Sequence, residues 1–451
     1  MKSSQKGLMI FRYNLRLHDN EALLLLQKMV NRMDCLWVIE PQWLHHSGRA
    51  LGNCYGDQMG QHRRRFLLES ANGLRQQLQA RGSDLLVAEG DFVRIVSEQL
   101  NAGDYDVVAL ADHPGYREQR QVRKLAAKFA KLHWIIADDF YLLRADQLPF
   151  SAADFPRQFT PFRKAIMDIC VSEGRELIGA LPQTAAGDSR YAASQRKLVQ
   201  LTDEHKVNHH NDETTAGMLG GESAGLEQLN RYLHEWQHVR HYKETRNQLE
   251  GWDFSSKLSP WLAQGCLSVR RVYREIKRHE DRYGENDSTD WLRFELIWRE
   301  YFQWLARFQG AKLFRLRGIR DVNPLLSYYP EYFVAWREGA TPNRFVNAFM
   351  QQLKTTGWMS NRGRQIVASY LVNELGLDWR YGASWFEQQL IDYDCGPNWG
   401  NWQYLAGVGT DPRGRRRFDI AKQQALYDPD GSFTDKWAGT QQTSFANAGY
   451  Y

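Results

Sequence analysis

Cysteine is scarce in this 451-residue chain. Its five cysteines, Cys35, Cys54, Cys170, Cys266 and Cys395, are scattered, odd in number and form no CxxC pair. That argues against a disulfide framework, a four-cysteine zinc site and an iron–sulfur cluster. Long apolar runs are also missing, none approaching the roughly 18 residues that cross a bilayer; the longest leucine run, Leu23 to Leu26, ends at Gln27-Lys28. The start, MKSSQKGLMIF, has no apolar stretch or small-residue cleavage site. These absences together read as a soluble, cytoplasmic protein. No GxGxxG follows the first apolar run and no GxxxxGK[ST] occurs, which weakens the usual nucleotide-binding readings. A net charge of +5 is too small to mark a nucleic-acid binder by itself.

What the chain has is a 43% hydrophobic content, enough for two or three cored domains, and 16 tryptophans, more than packing requires. Up to about residue 145, short apolar runs (Leu8 to Phe11, Cys35 to Ile39, Leu85 to Ala88, Val107 to Leu110, Trp134 to Ile136) alternate with helical patterns such as Gln58 to Ala80 and Arg117 to Lys131. This alternation predicts a doubly wound parallel α/β sheet over 1–145. Arg12, Arg16 and His18 then fall at the C-terminal edge of the sheet, with Asp19 or Asn20 capping the next helix. The period is lost over 146–219, a connector broken by Pro149, Pro156, Pro161 and Pro182. His209-His210 in it reads as solvated linker rather than a metal pair. From 220 to 451 only helical patterns remain, so the third segment is expected to be all-α.

Three stretches of that segment carry chemistry. His234, His238 and His241 share a helical face, but no zinc pattern accompanies them and no metal is expected. After Tyr242, the turn Ser255-Ser256-Lys257-Leu258-Ser259-Pro260 opens a helix whose N–H groups, hydroxyls and lysine suit a pyrophosphate, though an ordinary capped helix has the same signature. In Trp291 to Phe308 an aromatic stripe, Trp291, Glu295, Trp298, Phe302 and Leu305, encloses a carboxylate that burial would penalise without a partner. In Gly357 to Tyr404, a helix bearing Arg362 and Arg364 precedes a second, Trp385 to Ile391, which breaks at Asp392-Tyr393-Asp394 into a Gly/Pro/Asn turn. The charges oppose the helix dipole at both ends, as cross-helix ion pairs or as a ligand pocket. Arg413, Arg415, Arg416 and Arg417 follow, either a solvated run or a grip on single-strand phosphates.

The segment GWMSNRGRQ with DYD…NWGNWQY resembles the flavin-binding core of the photolyase/cryptochrome family, most closely its DASH branch, and FRYNLRLHDNEAL resembles the family's opening. The resemblance implies a helical domain holding FAD through Tyr242, Ser255, Ser256, Lys257, Leu258, Ser259, Arg364, Asp392, Asp394 and Asn398. Asn398 would face the ring nitrogen that gains or loses a proton, where an amide serves either state. It also implies that light-excited reduced FAD passes an electron to a cyclobutane pyrimidine dimer, which splits and returns it. Glu295, Trp298 and Asn361 would meet the lesion, and Trp298, Arg299, Arg362, Gln365, Tyr404 and the four arginines at 413–417 the DNA. Tyr404 and Gln365 stand where duplex-repairing relatives carry tryptophan and methionine, which implies a preference for dimers in single-stranded DNA.

A blue-light photoreceptor that repairs nothing is the competing function, weakened by the short tail after Trp437. A monomer is expected. Two features depart from the family. The DASH folate antenna uses a carboxylate two residues after a histidine, but Gly115 follows His113 here, and Pro114 stiffens the loop against Glu118 taking its place. Weak methenyltetrahydrofolate binding, or none, is expected. Trp402 and Trp379 match the inner two of three relay tryptophans, whereas Leu326 holds the outer position. Tyr328 and Tyr329 are then the nearest oxidisable side chains and the expected end of the relay, with Trp399 as the alternative.

Overall fold

The computed structural model describes residues 5–40, 59–172, 174, 179–182, 184, 189–204, 218–411 and 413–438. Five strands form one parallel sheet: β1 (Lys6–Phe11), β2 (Arg32–Ile39), β3 (Leu85–Glu89), β4 (Val107–Ala111) and β5 (His133–Ala137), in the order β3-β2-β1-β4-β5. The runs of β1, β2 and β4 are buried on consecutive residues because both faces of the sheet are covered there, whereas the edge strand β5 leaves Ile136 exposed. Helices α1 (Glu21–Met29), α2 (Gln61–Gln79), α3 (Phe92–Ala102) and α4 (Tyr116–Lys128) make the crossovers. Asn20 caps α1, its side chain accepting from Leu23 N at 3.1 Å.

The connector contributes α5 (Phe159–Ile166) and α6 (Ser189–Glu204). Helices then follow without a strand among the described residues: α7 (Glu222–Asn230), α8 (Tyr242–Thr245), α9 (Ser259–Ala263), α10 (Val269–Tyr283), α11 (Asp287–Gln309), α12 (Pro330–Arg337), α13 (Arg344–Thr356), α14 (Asn361–Ser369), α15 (Trp379–Gln389), α16 (Cys395–Ala406), α17 (Ile420–Tyr427) and α18 (Ser432–Ala438). Two of these correct the sequence reading. Helix α15 begins six residues before Trp385, because Asp378 caps it by accepting from Arg380 N. The supposed Gly/Pro/Asn turn is the first part of α16; Pro397 is tolerated in a first helical turn, where its missing N–H has no partner to lose. The four described cysteines are free thiols.

The strand order reverses at β1, so the loop after β1 lies in the crevice at the sheet's C-terminal edge. That loop braces the molecule. Arg16 is buried and donates to the backbone carbonyls of His18, Asp19, Asp139 and Gly265 at 2.9–3.0 Å. Glu222, opening α7, accepts from Leu17 N at 2.7 Å and His18 N at 3.2 Å, with His18 Nδ1 at 2.6 Å. One apolar cluster runs without a break from Met9, Phe11 and Trp37 of the sheet through Phe66 and Leu74 to Trp261 and Trp358 of the helical part. Sheet and helices therefore share a core rather than meeting at a polar seam. Among the described residues no helix is long and apolar enough to cross a membrane.

Burial opposes ionisation of Glu222, yet His18 and the two backbone donors outweigh it and hold its carboxyl below the usual range. Glu222→Ala leaves two buried N–H groups without an acceptor and is expected to cost about 2–4 kcal/mol. A lowered carboxyl stabilises the fold above its unfolded pKa and loses that contribution as pH falls through the folded one. The gap in thermal midpoint between wild type and variant should thus be full above about pH 5 and shrink on further acidification. A gap independent of pH would show that the carboxylate is not the cause.

Candidate flavin pocket

Helix α11 supplies the pocket's longest wall. Trp291, Glu295, Trp298 and Phe302, four of the five stripe residues, face a cavity of about 460 Å³. Opposite them stand Tyr242, Arg246, the run Phe254 to Ser259, Trp358, Asn361, Arg364 and Gln365. Asp392, Asp394 and Tyr404 close the end, where a smaller lobe of about 150 Å³ adds Asn398 and Trp402. Residues expected to hold a cofactor and residues expected to meet a substrate thus line one space.

The two carboxylates are the electrostatic anchors. Asp392 Oδ2 accepts from Arg364 at 2.9 Å and from the Ser259 hydroxyl at 2.6 Å. Its Oδ1 is buried and has no protein partner. Asp394 Oδ2 meets Arg299 at 3.1 Å and accepts from Gln303 at 2.6 Å. Burial pushes the Asp394 carboxyl up, against the opposing effects of Arg299 and Gln303. Arg299 and Gln303 stand four apart on α11 and reach the same oxygen, a spacing the sequence carried but the aromatic stripe beside it obscured.

Several side chains differ from expectation in detail. Glu295 is half-exposed rather than buried; it pairs with Arg246 and accepts from Trp291 Nε1 at 3.1 Å. Arg246 was missed because its partner is 49 residues away. Arg299 also donates to Phe140 O at 2.9 Å, so its charge is spent on protein groups at the pocket's inner wall. One face of Trp298 is covered by Phe159 of α5, ring centroids 3.5 Å apart and 7° from parallel. Lys257 is buried at a left-handed φ of 53°, its ammonium 3.6 Å from the Phe254 ring and 3.7 Å from the Trp358 ring. Helix α9 has five residues, so its dipole is small; hydroxyls and backbone N–H groups are what that turn offers an anion.

Other candidates lie off the cavity lining. Arg362 donates to Asn247 at 3.3 Å and covers the Tyr427 ring at 4.9 Å. Arg413 and Arg416 pair with Asp411, Arg417 with Glu374 at 3.0 Å, and Arg415 donates to Val372 O. Arg416 also reaches the Tyr404 hydroxyl, linking this run to the pocket rim. Tyr328 stacks on Tyr381 at 4.2 Å and Tyr329 is exposed. His234 pairs with Glu275 and His238 with Asp253, and among the described residues no three metal-ligating side chains converge. His209-His210 lies outside the described residues.

A second cavity, about 470 Å³, lies between the sheet and the helices and shares Asp394 with the first. Glu118 lines this cavity and lies beside Gly115. The Glu118 carboxylate reaches the open side of Gly115, where a Cβ would otherwise stand. Burial resists the charge on Glu118, but His113 at 3.8 Å and Arg12 at 3.9 Å hold its pKa below the usual range.

A parallel sheet joined to a helical bundle around an arginine–aspartate pocket defines the architecture of a photolyase-type flavoprotein. The family model described as the FAD binding domain of DNA photolyase matches residues 291–444, and that described as DNA photolyase matches residues 8–182. The cryptochrome DASH of Idiomarina loihiensis is 41% identical over 439 residues, covering 97% of this chain and 94% of the relative. That of Synechocystis is 37% identical over 439 residues, covering 95% and 86%. A crystal structure of a Synechocystis cryptochrome superposes with a TM-score of 0.84 at 36% identity, over 97% of this chain and 89% of the other. An archaeal photolyase from Sulfolobus tokodaii, described with two FAD molecules and a novel light-harvesting cofactor, gives 0.74 at 26% identity, over 96% and 90%. The chain belongs to the photolyase/cryptochrome family and is similar to DASH cryptochromes over nearly its whole length.

FAD is the cofactor. The unpartnered Asp392 Oδ1 fits a bound group that presents hydrogen-bond donors at the lobe between Arg364 and Asn398. Asp392→Ala removes the acceptor of both Ser259 and Arg364 and should weaken flavin retention at least tenfold, about 1.4 kcal/mol or more. Flavin absorbance per mole of purified protein reads this; retention at the wild-type level would count against the assignment.

Proposed function

We propose that the protein repairs cyclobutane pyrimidine dimers in DNA by light-driven electron transfer, with a preference for single strands. The observation that carries this is the shared cavity: Glu295, Trp298, Asn361 and Tyr404 line the same space as Arg364, Asp392 and Ser259. When bound, FAD supplies a light-excitable one-electron donor. Tyr242, Ser255 to Ser259, Arg364 and Asp392 would hold it, while Asn398, whose amide donates to Ala383 O at 3.0 Å, lines the lobe beside them. Trp298, backed by Phe159, offers a dinucleotide an apolar wall, and Phe302 and Trp291 exclude water beside it. Glu295, held by Arg246 and Trp291, offers an acceptor for base N–H groups.

Extruding a dimer from a duplex costs a few kcal/mol of unstacking, and much less from a single strand. Tyr404 is a phenol tied to Arg416 where an indole would stack more strongly, and Gln365 is a polar amide lining the same cavity. With the flavin chemically reduced and salt matched, a dimer in a single-stranded oligonucleotide should be split at least tenfold faster than in a duplex. Equal rates would remove the preference. No repair of either, with light-dependent reduction intact, would favour the photoreceptor reading.

The second cavity supports a further element of this reading, an antenna chromophore. It equals the first in size, and Glu118 supplies a buried anion for a ring N–H or amino group. Methenyltetrahydrofolate added to the purified protein should bind, and Glu118→Gln should bind it at least tenfold more weakly. Failure of the wild-type protein to take it up would bear out the expectation drawn from Gly115.

A further inference from the structure

Aromatic rings leave the small lobe in two directions. Trp402 lines the lobe and meets Phe386 at 5.2 Å and Trp336 at 6.3 Å. Past Trp336 lie Phe333 at 6.0 Å, then Tyr381 at 5.7 Å with Tyr328 stacked on it. In the other direction Trp399 precedes Trp402 by one turn of α16, and its ring meets Trp379 of α15 at 5.8 Å and 78°. Trp402 in turn lies against Gly382, one turn along α15 from Trp379. Trp379 and Trp399 are thus in ring contact, and Trp402 packs between the same two helices one turn away.

The indoles differ in what meets their N–H groups. Trp336 donates to Val367 O at 3.0 Å and Trp379 to Leu316 O at 3.1 Å, amide carbonyls that do not take a proton. Trp399 donates to the Glu387 carboxylate at 3.0 Å, with the Tyr393 hydroxyl at 3.3 Å. An indole that loses an electron becomes acidic, and its proton leaves only where a base stands within hydrogen-bond reach. Loss of that proton makes the ring easier to oxidise and slows return of the electron. Charge on this cluster should therefore drain to Trp399.

We propose that Trp399 is the terminal hole acceptor of the relay beginning at Trp402, and that Glu387 takes its indole proton, leaving a neutral indolyl radical in the wall of the second cavity. The inference rests on the light-driven flavoprotein reading above. The step balances: one electron passes from Trp399 to oxidised Trp379, the N–H bond breaks, and the proton forms an O–H bond on Glu387. Charge return reverses it; a soluble thiolate, giving one electron to the indolyl radical and leaving as a thiyl radical while Glu387 returns the proton, completes a net reduction.

The groups facing Glu387 come from helices α2, α4 and α16 and from the loop before α16. Arg63 of α2 donates to its backbone carbonyl and covers the Tyr393 ring at 4.5 Å; Glu118 of α4 faces it across the cavity; Tyr393, Cys395 and Trp399 complete the surround. Burial pushes the Glu387 carboxyl up, Arg63 and the bonds from Tyr393 and Trp399 oppose this, and Glu118 adds to it. Below its raised pKa Glu387 is already protonated and accepts nothing. The yield of neutral radical should therefore rise with pH through that pKa.

The test is flash photolysis of the holoprotein with oxidised flavin, using transient absorption to separate indole cation, neutral indolyl and tyrosyl radicals. Wild type should give a neutral indolyl radical whose yield rises with pH. Light-minus-dark infrared spectra should show a newly protonated carboxyl group. Trp399→Phe should abolish that radical and shorten the charge-separated state at least tenfold. The near-isosteric Glu387→Gln should give a short-lived indole cation, flat in pH, with the carboxyl band absent. A tyrosyl radical in wild type, a pH-independent yield, or a neutral indolyl radical persisting in either variant overturns the proposal. The wild-type measurements decide even if a variant fails to fold. Repair by chemically reduced protein tests the reading of function separately, because it does not use this relay.

Discussion

A carboxylate buried at a helix junction costs several kcal/mol unless cations and hydroxyls meet it. Asp392 and Asp394 impose that demand twice within three residues. The groups that satisfy them come from everywhere else: Arg364 from α14, Ser259 from α9, Arg299 and Gln303 from α11. The start of α16 is thereby fixed against three other helices, and the cavity exists because these charges need not touch one another. Their partners are Arg and polar side chains of defined geometry, so the pocket is shaped before any ligand arrives.

The same reasoning extends to the sheet. Glu300 is wholly buried, yet it accepts from Leu142 N, Leu143 N and Trp304 Nε1 at 2.6–3.0 Å, tying the segment after β5 to α11. Glu222 does the same for the loop after β1. Buried acids reading backbone N–H groups, together with the continuous apolar cluster, make the sheet a fixed support for a helical pocket rather than a separate module.

Much of this was legible in the sequence. Apolar runs and helical periods placed all five strands and the wall of α11, since those patterns record local burial. The motif around Asp392 pointed to the cofactor and the family. Hidden were the features set by distant partners or by a single cap: the early start of α15 at Asp378, the rescue of Glu295 by Arg246, the inward turn of Arg299, and Glu118 in the space beside Gly115. Reading charges along one helix does not tell which will be claimed by another. The cluster of Trp379, Trp399 and Trp402 was likewise split in sequence between two helices whose crossing angle no spacing encodes.

Phe159 lies in the connector, yet its ring covers a full face of Trp298. Its neighbour Phe155 stacks on Tyr301 of the same helix, centroids 5.7 Å apart, and Phe162 meets Tyr301 at 5.3 Å. The piece that can be transplanted between relatives is therefore not the helical region alone. A graft of residues 220–451 into a foreign N-terminal half would carry the charges of the pocket but leave Trp298 with one bare face. An exchange that swaps α5 together with α11 would carry the wall intact.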